Sequence, residues 1–522
     1  MKRPRLTLAF FVALTSGLAL ASSLTARAKA NSAEQPNVVF ILADDLGYGD
    51  VGAMNPEGKI ATPHLDRLAA EGMIFTDAHS SSAVCTPTRY GILTGRYNWR
   101  SRLQRGVLNG YSPPLIDADR ATVGALMKQH GYATACVGKW HLGMNWAKAT
   151  AEDSRRRQGR DNIRYDKPIQ DGPIDRGFDY YFGIAASLDM PPYVFIENDM
   201  ATEVPTTTKK WIRSGPAGED FEAVDVLPRL AEKTVAFIDR QVKNEPKKPF
   251  FIYMPLNSPH TPIVPTKPWQ GRSDINKYAD FVMQTDAAVG DVLAALERHK
   301  LADNTLVIFT SDNGCSPQAN FRQLAQHDHD PSYVFRGHKA DIFEGGHRVP
   351  FIARWAGRVK PGTKSDQTIC LIDLMATCAD VLDVELPPDA GVDSVSILPA
   401  LLGKAERPLR EATVHHSING SFAIREGDWK LILCPGSGGW SSPRSGRGTK
   451  GLPPVQLYNL ADDPAEENNV QAEQPEVVRR LATLLEKYVA EGRSTPGEPQ
   501  KNDAQIDIYK GHRPEALQGD AG

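Results

Sequence analysis

The chain carries near its start the stretch Asn37-Val38-Val39-Phe40-Ile41-Leu42-Ala43-Asp44-Asp45, an apolar run that ends in two carboxylates. The run up to Leu42 has the β-branched and aromatic composition of a strand buried on both faces. Adjacent carboxylates directly after such a strand are costly unless a cation or water neutralises them. We therefore predict that this strand lies inside a sheet and carries Asp44 and Asp45 to a polar site beyond its carboxyl end.

Similar apolar runs recur along the chain and alternate with helical patterns. Strands are predicted over 132–137, 249–254, 305–310 and 350–354, and helices over 62–72 and 278–299. This alternation predicts an α/β fold with a large mixed, mostly parallel sheet sandwiched by helices. Beyond it, short candidate strands and a helix from Pro475 to about Glu491 predict a smaller C-terminal α+β domain, an antiparallel sheet plus one helix.

These patterns divide the chain of 522 residues into four parts. Residues 1–30 are predicted to be a signal peptide, because a basic start precedes an apolar stretch and a small-x-small cleavage site at 28–30, or alternatively at 26–28. The apolar stretch is too short for stable membrane insertion, so we expect export to the periplasm or the medium. The larger domain would span 31–405, the α+β domain 406–500 and a polar tail 501–522, with poor order expected after Arg493.

Composition excludes several classes of function. The formal net charge is −3, whereas nucleic-acid binders usually carry a strong basic excess, so no nucleic-acid partner is expected. The six cysteines are scattered without a Cys-x-x-Cys pair, which predicts neither a zinc ribbon nor a disulfide scaffold. A bridge between Cys370 and Cys378 stays open. Any anionic ligand must be held by a local cluster of cations.

The segment from Cys85 to Arg96 reads Cys-Thr-Pro-Thr-Arg-Tyr-Gly-Ile-Leu-Thr-Gly-Arg. Taken by itself, a thiol beside a cation such as Arg89 is expected to have a lowered pKa and to be a candidate nucleophile. The segment also resembles the Cys-x-Pro-x-Arg…Leu-Thr-Gly-Arg signature of the type I sulfatases, which belong to the alkaline phosphatase superfamily. In that family a sulfatase-maturing enzyme converts the cysteine to formylglycine (3-oxoalanine).

Three carboxylates and one amide follow predicted strands. Asp44 and Asp45 follow the first strand, and Asp312 and Asn313 follow the strand at 305–310. An all-oxygen set suits Ca²⁺ or Mg²⁺ rather than zinc or copper. The four residues resemble the calcium ligands of the sulfatases. The resemblance implies one bound ion, Ca²⁺ in preference to Mg²⁺, with residue 85 as a further ligand.

Further polar segments follow strands in the order found in the family. They are Gly138-Lys139-Trp140-His141-Leu142-Gly143, Pro259-His260-Thr261-Pro262 and the block from Arg336-Gly337-His338-Lys339 to Glu344-Gly345-Gly346-His347-Arg348-Val349-Pro350. By resemblance, Lys139 and Lys339 would hold sulfate oxygens, and Arg89 would steady hydrated formylglycine. His260 would protonate the departing alcohol, with Lys339 as the alternative acid. His141 would take a proton from the second hydroxyl of the diol.

The resemblance implies an exported sulfatase, which hydrolyses sulfate monoesters and whose catalytic domain is the region 31–405. One hydroxyl of the formylglycine diol would attack sulfur and form a covalent sulfate intermediate, which would then collapse to the aldehyde and release sulfate. The implied substrates are sulfated carbohydrate or aryl sulfates, and the implied protein partner is the formylglycine-generating (sulfatase-maturing) enzyme.

Two other functions stay open at this point. Some phosphodiesterases and phosphonate-ester hydrolases on the same fold use the same modified nucleophile. A chain with an unmodified Cys85 would instead be a catalytically silent protein that binds sulfated glycans. Candidate substrate contacts are the segment 187–193, the loop 435–454, which we expect to be mobile, and two histidines at positions where the family commonly has other residues, His338 and His347.

Overall fold

The fold was analysed in a computed structural model that describes residues 35–149, 162–511 and 517. The predicted signal peptide lies outside the described residues, so the prediction of export is not addressed by the structure. Asn37–Gly522 make up one unit. Within the described ranges, no helix combines the length and the apolar character that a membrane span requires.

The elements alternate along the chain as predicted. The strands are β1 (Asn37–Asp44), β2 (Met73–Phe75), β3 (Ala78–His79), β4 (Ala133–Lys139), β5 (Tyr180–Ile184), β6 (Ile196–Glu197), β7 (Met200–Ala201), β8 (Thr207–Lys210), β9 (Ser214–Ala217), β10 (Phe250–Pro259), β11 (Thr305–Ser311), β12 (Phe351–Arg354), β13 (Thr363–Ser365), β14 (Ile369–Cys370), β15 (Thr413–His416), β16 (Phe422–Glu426), β17 (Trp429–Ile432) and β18 (Gln456–Asn459). The helices are α1 (Pro63–Ala70), α2 (Cys85–Thr94), α3 (Val123–Gln129), α4 (Val226–Asn244), α5 (Lys277–Arg298), α6 (Phe321–Ala325), α7 (Glu344–His347), α8 (Leu374–Leu382), α9 (Leu398–Leu401) and α10 (Pro475–Glu491).

A ten-stranded sheet has the order β13-β2-β12-β11-β1-β10-β4-β5-β6-β7. The central strands from β11 to β5 are parallel, whereas β12 and β6 join them in antiparallel fashion. Strand β1 lies in the middle because it is apolar on both sides, with Val39 and Ile41 in one core and Val38 and Phe40 in the other. Helices α1, α4 and α5 cover one face, and α2, α3 and α8 cover the other. The predicted mixed, mostly parallel sheet between helices is confirmed.

The C-terminal part contains a second sheet, with the antiparallel order β15-β16-β17-β18. One face of α10, which includes Leu481 and Leu485, packs on apolar side chains of this sheet such as Ile424 and Leu431. This arrangement confirms the predicted small antiparallel sheet with one helix.

The prediction of poor order after Arg493 is wrong for residues up to 511. Arg493 is itself buried, and Asp503 accepts a 2.6 Å hydrogen bond from Nη1 of Arg96 at the end of the Cys85 segment. The Asp503 amide also donates to the carbonyl of Arg100 at 2.8 Å. Polar residues of the tail dock here because the buried guanidinium of Arg96 needs a carboxylate partner.

The loop 435–454, which we expected to be mobile, is anchored over its first half. The amide of Trp440 donates to Asp341 Oδ1 at 2.7 Å, and the amide of Ile342 donates to the carbonyl of Ser437 at 2.7 Å. These bonds fix the loop to the segment that follows Lys339.

A group of three buried histidines, the histidine cluster, joins the C-terminal sheet to the loop before Cys85: His79, His347 and His415. The rings of His347 and His415 stack with centroids 3.8 Å apart, and the Nδ1 atoms of His79 and His347 are 3.1 Å apart. His347 Nε2 lies 3.0 Å from the Lys430 ammonium and 3.2 Å from the Ile342 carbonyl oxygen. His79 Nε2 lies 2.8 Å from Asp77 Oδ1 and 3.1 Å from Arg425 Nη1. Protein groups therefore surround both rings inside the fold.

Burial lowers the pKa of each histidine of the cluster below its usual value, and nearby cations such as Lys430 and Arg425 act in the same direction. The unfolded chain therefore binds more protons than the native chain once the pH falls below about 6.5, the usual pKa of histidine. Native stability should be intact above that pH and should decrease steadily as the pH is lowered toward about 5.

Melting temperatures at pH 7.5 and 5.5 test this prediction. The drop on acidification should be smaller in His415→Gln than in the wild type, because one of the uncharged buried histidines is gone. The exposed His327 provides the control, since His327→Gln should retain the wild-type drop. Equal drops in all three proteins would contradict the prediction.

Candidate active site

The ten residues predicted for the site all lie at one edge of the large sheet, where the parallel strands end. They are Asp44, Asp45, Cys85, Arg89, Lys139, His141, His260, Asp312, Asn313 and Lys339, and all are buried. Asp44 and Lys139 end β1 and β4, Asp312 follows β11, and His260 follows β10. Cys85 is the first residue of α2. The sheet thus brings together residues as far apart in the chain as Asp44 and Lys339.

The backbone is constrained where the strands meet the site. The backbone of Asp45 and of His141 is in the left-handed region, with φ of 65° and 56°. Residues other than glycine seldom adopt this conformation. A Cβ atom on Gly138 would lie 1.8 Å from the carbonyl oxygen of Pro255, so β4 and β10 can approach this closely only with glycine there. Such strain is tolerated where the surroundings fix the geometry, and it is common at functional sites.

Three cations oppose the buried carboxylates. Lys139 Nζ donates to Asp44 Oδ2 at 2.6 Å, and Lys339 Nζ donates to Asp45 Oδ2 at 2.8 Å. The Arg89 guanidinium binds Asp312 Oδ2 through Nε at 3.0 Å and Nη2 at 2.8 Å. Although burial acts to raise the pKa of Asp44, the charges of Lys139 and its cationic neighbours hold that pKa well below its usual value.

The neutralisation is incomplete at Asp312. Burial, together with the negative charge of Asp44, raises the pKa of Asp312 to about 7 despite the contact with Arg89. Two oxygens of the site, Asp44 Oδ1 and Asn313 Oδ1, are buried without a hydrogen-bond partner among the described residues. Candidate ligand atoms of Asp44, Cys85 and Asp312 lie within 4.8 Å of one another. Clustered carboxylates and buried oxygens without partners among the described residues fit a divalent cation of the Ca²⁺ or Mg²⁺ type.

Cys85 does not have the character of a reactive thiol. Burial raises the pKa of its thiol above the usual value, in spite of the nearby ammonium groups of Lys139 and Lys339. The expectation of a lowered pKa, based on the proximity of Arg89 in sequence, is therefore wrong. Arg89 donates hydrogen bonds to Asp312 and to the carbonyls of Lys139 and Leu256.

The two site histidines have defined tautomers. His141 Nε2 lies 2.7 Å from the carbonyl oxygen of Leu108, and since a carbonyl only accepts, Nε2 carries the proton. His141 Nδ1 is then a buried lone pair, and it has no partner among the described residues. In the same way, His260 Nδ1 donates to the Thr261 carbonyl at 2.6 Å, which leaves Nε2 as its exchangeable position, 3.7 Å from Asp45 Oδ2.

Sequence reasoning missed a support behind Asp45. The Tyr278 hydroxyl, on α5, donates to Asp50 and lies 3.3 Å from the Asp45 carbonyl oxygen. His329 donates to the other oxygen of Asp50 at 2.9 Å. The turn from Gly47 to Asp50, directly after the paired carboxylates, was the one sequence feature that pointed to this support. Nothing in the nearby sequence indicated that Tyr278 and His329 would bind Asp50.

His347, a candidate substrate contact, lies in the histidine cluster instead. Its ring stacks on His415, and its two nitrogens contact His79 and Lys430, so protein groups occupy both of its polar atoms. His338, by contrast, is 14% exposed and precedes Lys339 in the chain, so it remains a candidate.

Comparison with known proteins identifies the family. The family model named Sulfatase matches residues 36–384, which is more than half of the chain. The chain belongs to the sulfatase family. This sulfatase is accordingly a sulfuric ester hydrolase, and its sequence resemblance to the type I enzymes is confirmed.

Relatives match this sulfatase over nearly its full length. An N-acetylgalactosamine-6-O-sulfatase of Bacteroides thetaiotaomicron is 33% identical, over 91% of this chain and 97% of the relative. The N-acetylgalactosamine-6-sulfatase of Homo sapiens is 29% identical, over 90% of this chain and 88% of the relative. A solved sulfatase structure from work on glycosaminoglycan metabolism by B. thetaiotaomicron is 34% identical, with a TM-score of 0.75 over 87% of this chain and 99% of that chain.

Arg89 should contribute strongly to stability because it neutralises fully buried carboxylates. Replacing Arg89 by Ala leaves the Asp312 carboxylate without its direct cationic partner, and we expect a loss of about 3–5 kcal/mol in the free energy of unfolding. Chemical denaturation monitored by fluorescence measures this loss. The exposed Arg105 supplies the control, since Arg105→Ala should change stability by no more than about 0.5 kcal/mol. Similar small effects for both variants would argue against the charge balance described above.

Proposed function

We propose that this sulfatase is exported and removes sulfate from a sulfated carbohydrate, using formylglycine derived from Cys85 and one bound Ca²⁺ ion. The observation that carries the proposal is the position of Cys85. Its sulfur lies within 4.8 Å of carboxylate oxygens of Asp44 and Asp312, in a buried site that also holds two ammonium groups. A maturing enzyme of the formylglycine-generating type would be the partner that modifies it.

The substrate class follows from the names of the relatives. Two of them, from B. thetaiotaomicron and Homo sapiens, are named for 6-sulfated N-acetylgalactosamine. We therefore propose a sulfated amino sugar as the natural substrate class, with simple aryl sulfates as artificial substrates. A sulfate monoester is an anion, whereas the whole chain has a net charge of −3. Binding must therefore depend on the cations that are clustered in the site.

Lys139 and Lys339 are the residues that we assign to the sulfate group. In the structure, each ammonium donates a hydrogen bond to one of the paired carboxylates, Asp44 or Asp45. Asp44, Asp45, Asp312 and Asn313 would hold Ca²⁺, which would act as a Lewis acid toward developing negative charge. Lys139 and Lys339 would then serve as point charges for sulfate oxygens. Arg89 keeps Asp312 in place and retains its own charge.

Proton transfer falls to the two histidines. His141 Nδ1 is unprotonated and has no partner among the residues that the structure describes, which suits a base for a hydroxyl at position 85. His260 Nε2 faces the carboxylate side of the site and is the candidate acid for the departing alcohol, with Lys339 as the alternative. Burial and the Lys339 charge lower the pKa of His260, so its protonation benefits from the negative charge that a sulfate ester brings.

The modification of Cys85 is directly testable. A tryptic mass spectrum of active protein should show the peptide that contains residue 85 with an aldehyde in place of the thiol. Cys85→Ala should fold with an unchanged circular dichroism spectrum and should lose turnover of 4-nitrophenyl sulfate. Activity that persists while this peptide is found only as unmodified cysteine would refute the proposal.

Calcium should stabilise the native state measurably. Because only the folded chain has the ligands assembled, free Ca²⁺ at about one hundred times its dissociation constant should add about 2.7 kcal/mol. Melting curves with Ca²⁺ and with a chelator measure the effect without relying on activity. The gain should be much smaller in Asp312→Asn and unchanged in Asp389→Asn, whose parent residue is exposed. The same gain in all three proteins would place the ion elsewhere.

A further inference from the structure

Asp50 is a buried carboxylate that forms no ion pair with a lysine or arginine among the described residues. It is 1% exposed, and its partners are three hydrogen-bond donors. Oδ2 accepts from the Gly47 amide at 2.7 Å and from the Tyr278 hydroxyl, and Oδ1 accepts from His329 Nε2 at 2.9 Å. Burying a carboxylate in this way is costly, but the three bonds fix its orientation. Asp50 is therefore suited to holding other groups in place.

His329 is held in one tautomer, which makes it a fixed donor to Asp50. The Lys59 amide donates to His329 Nδ1 at 3.1 Å, so Nδ1 has no proton and Nε2 carries it. The histidine is 2% exposed and lies outside the set of residues assigned to proton transfer. Its interaction with Asp50 is thus a hydrogen bond from a neutral ring.

The chain after His329 packs directly on the turn that Asp50 closes. The Gly49 amide donates to the carbonyl of Pro331 at 2.8 Å. A Cβ atom on Gly47 would lie 2.1 Å from that same carbonyl oxygen, so the two segments can approach this closely only with glycine there. The turn is therefore held from outside by backbone contact and from inside by the Asp50 carboxylate.

This turn begins at Asp45, whose backbone depends on side-chain acceptors. Three successive amides after β1, those of Asp45, Leu46 and Gly47, donate to Asp312 Oδ1 at 3.3 Å, Ser311 Oγ at 3.1 Å and Asp50 Oδ2 at 2.7 Å. The left-handed φ of Asp45, 65°, persists only where the surroundings impose it. The Tyr278 hydroxyl, bound to Asp50, also lies 3.3 Å from the Asp45 carbonyl oxygen. Asp50 thus restrains the backbone on the far side of Asp45 from β1.

We propose that Asp50 is a positioning residue for the divalent cation, because it fixes the backbone that presents the Asp45 carboxylate. Asp50 acts through Asp45 and is not itself a ligand, since Gly47, Tyr278 and His329 occupy its oxygens. The inference rests on the proposed function, which assigns Asp45 to Ca²⁺. Replacing a group that orients a metal ligand typically weakens metal binding ten- to a hundred-fold.

The test measures the dissociation constant for Ca²⁺ of the full chain by competition with a fluorescent chelator. In Asp50→Asn the constant should rise about ten- to a hundred-fold, because an amide places N–H groups where the carboxylate accepts. His329→Ala should also raise it. His329→Gln should restore most of the affinity, since the glutamine amide can donate to Asp50 as Nε2 of the histidine does.

Asp286→Asn is the matched control. Asp286 is 2% exposed, and its carboxylate accepts from the amides of His64 and Leu65 at 3.2 and 2.8 Å. This variant should lose stability, as Asp50→Asn should, but should keep the Ca²⁺ affinity of the wild type. Melting temperatures without Ca²⁺ report the loss of stability and verify that each variant is folded.

The inference and the proposed function can fail separately. If the wild type binds Ca²⁺ and Asp50→Asn binds it equally well, Asp50 only stabilises the fold, and the inference is overturned while the proposed function stands. An equal loss of affinity in Asp286→Asn overturns it as well. If the wild type binds no Ca²⁺, the ion of the proposed function is refuted and the inference falls with it. Should Asp50→Asn not fold, wild-type affinity in His329→Ala overturns the inference, and weakened binding that His329→Gln restores supports it.

Discussion

The structure depends on the cost of placing carboxylates where strands end inside the protein. Asp44, Asp45 and Asp312 are almost completely shielded from solvent, and each needs positive charge nearby to remain ionised. Arg89, Lys139 and Lys339 provide that charge from three separate segments. The parallel sheet is the scaffold that makes this possible, because it gathers the carboxyl ends of distant strands at one edge. Burial and the neighbouring Asp44 raise the pKa of Asp312 to about 7 even beside Arg89, so its carboxylate is the one that the protein's own cations stabilise least.

The C-terminal sheet is part of the active-site scaffold as well as a neighbour of the large sheet. The carbonyl of His416, at the end of β15, accepts from Ser82 Oγ at 2.8 Å and from the Ala83 amide at 3.0 Å. The Ala340 amide in turn donates to the Ala83 carbonyl at 2.8 Å. The segment that leads into Cys85 is therefore clamped between the second sheet and the residue after Lys339. The histidine cluster lies behind this clamp and gives it a buried, fully paired support.

The parts of the structure that sequence could predict are those governed by local pattern. Apolar runs such as 37–42 identify the central strands, and the polar residues directly after them identify the site, because strand ends and ligand sites coincide in this architecture. What could not be predicted depends on partners far apart in the chain. Arg96 and Asp503 are 407 positions apart, so the docking of the polar tail had no local signal. The pKa of the Cys85 thiol was misjudged because its burial arises only from tertiary packing.

The nearly complete burial of Cys85, which is 2% exposed, bears on the proposed maturation. A maturing enzyme would have to reach this side chain, and the folded chain does not expose it. The proposed conversion would therefore have to precede folding, because folding buries the thiol. The central strands pair across more than two hundred residues, as in β1 with β10, and such long-range pairing is slow to form. Because the strands of this sheet pair slowly, Cys85 should stay accessible for some time in the newly made chain.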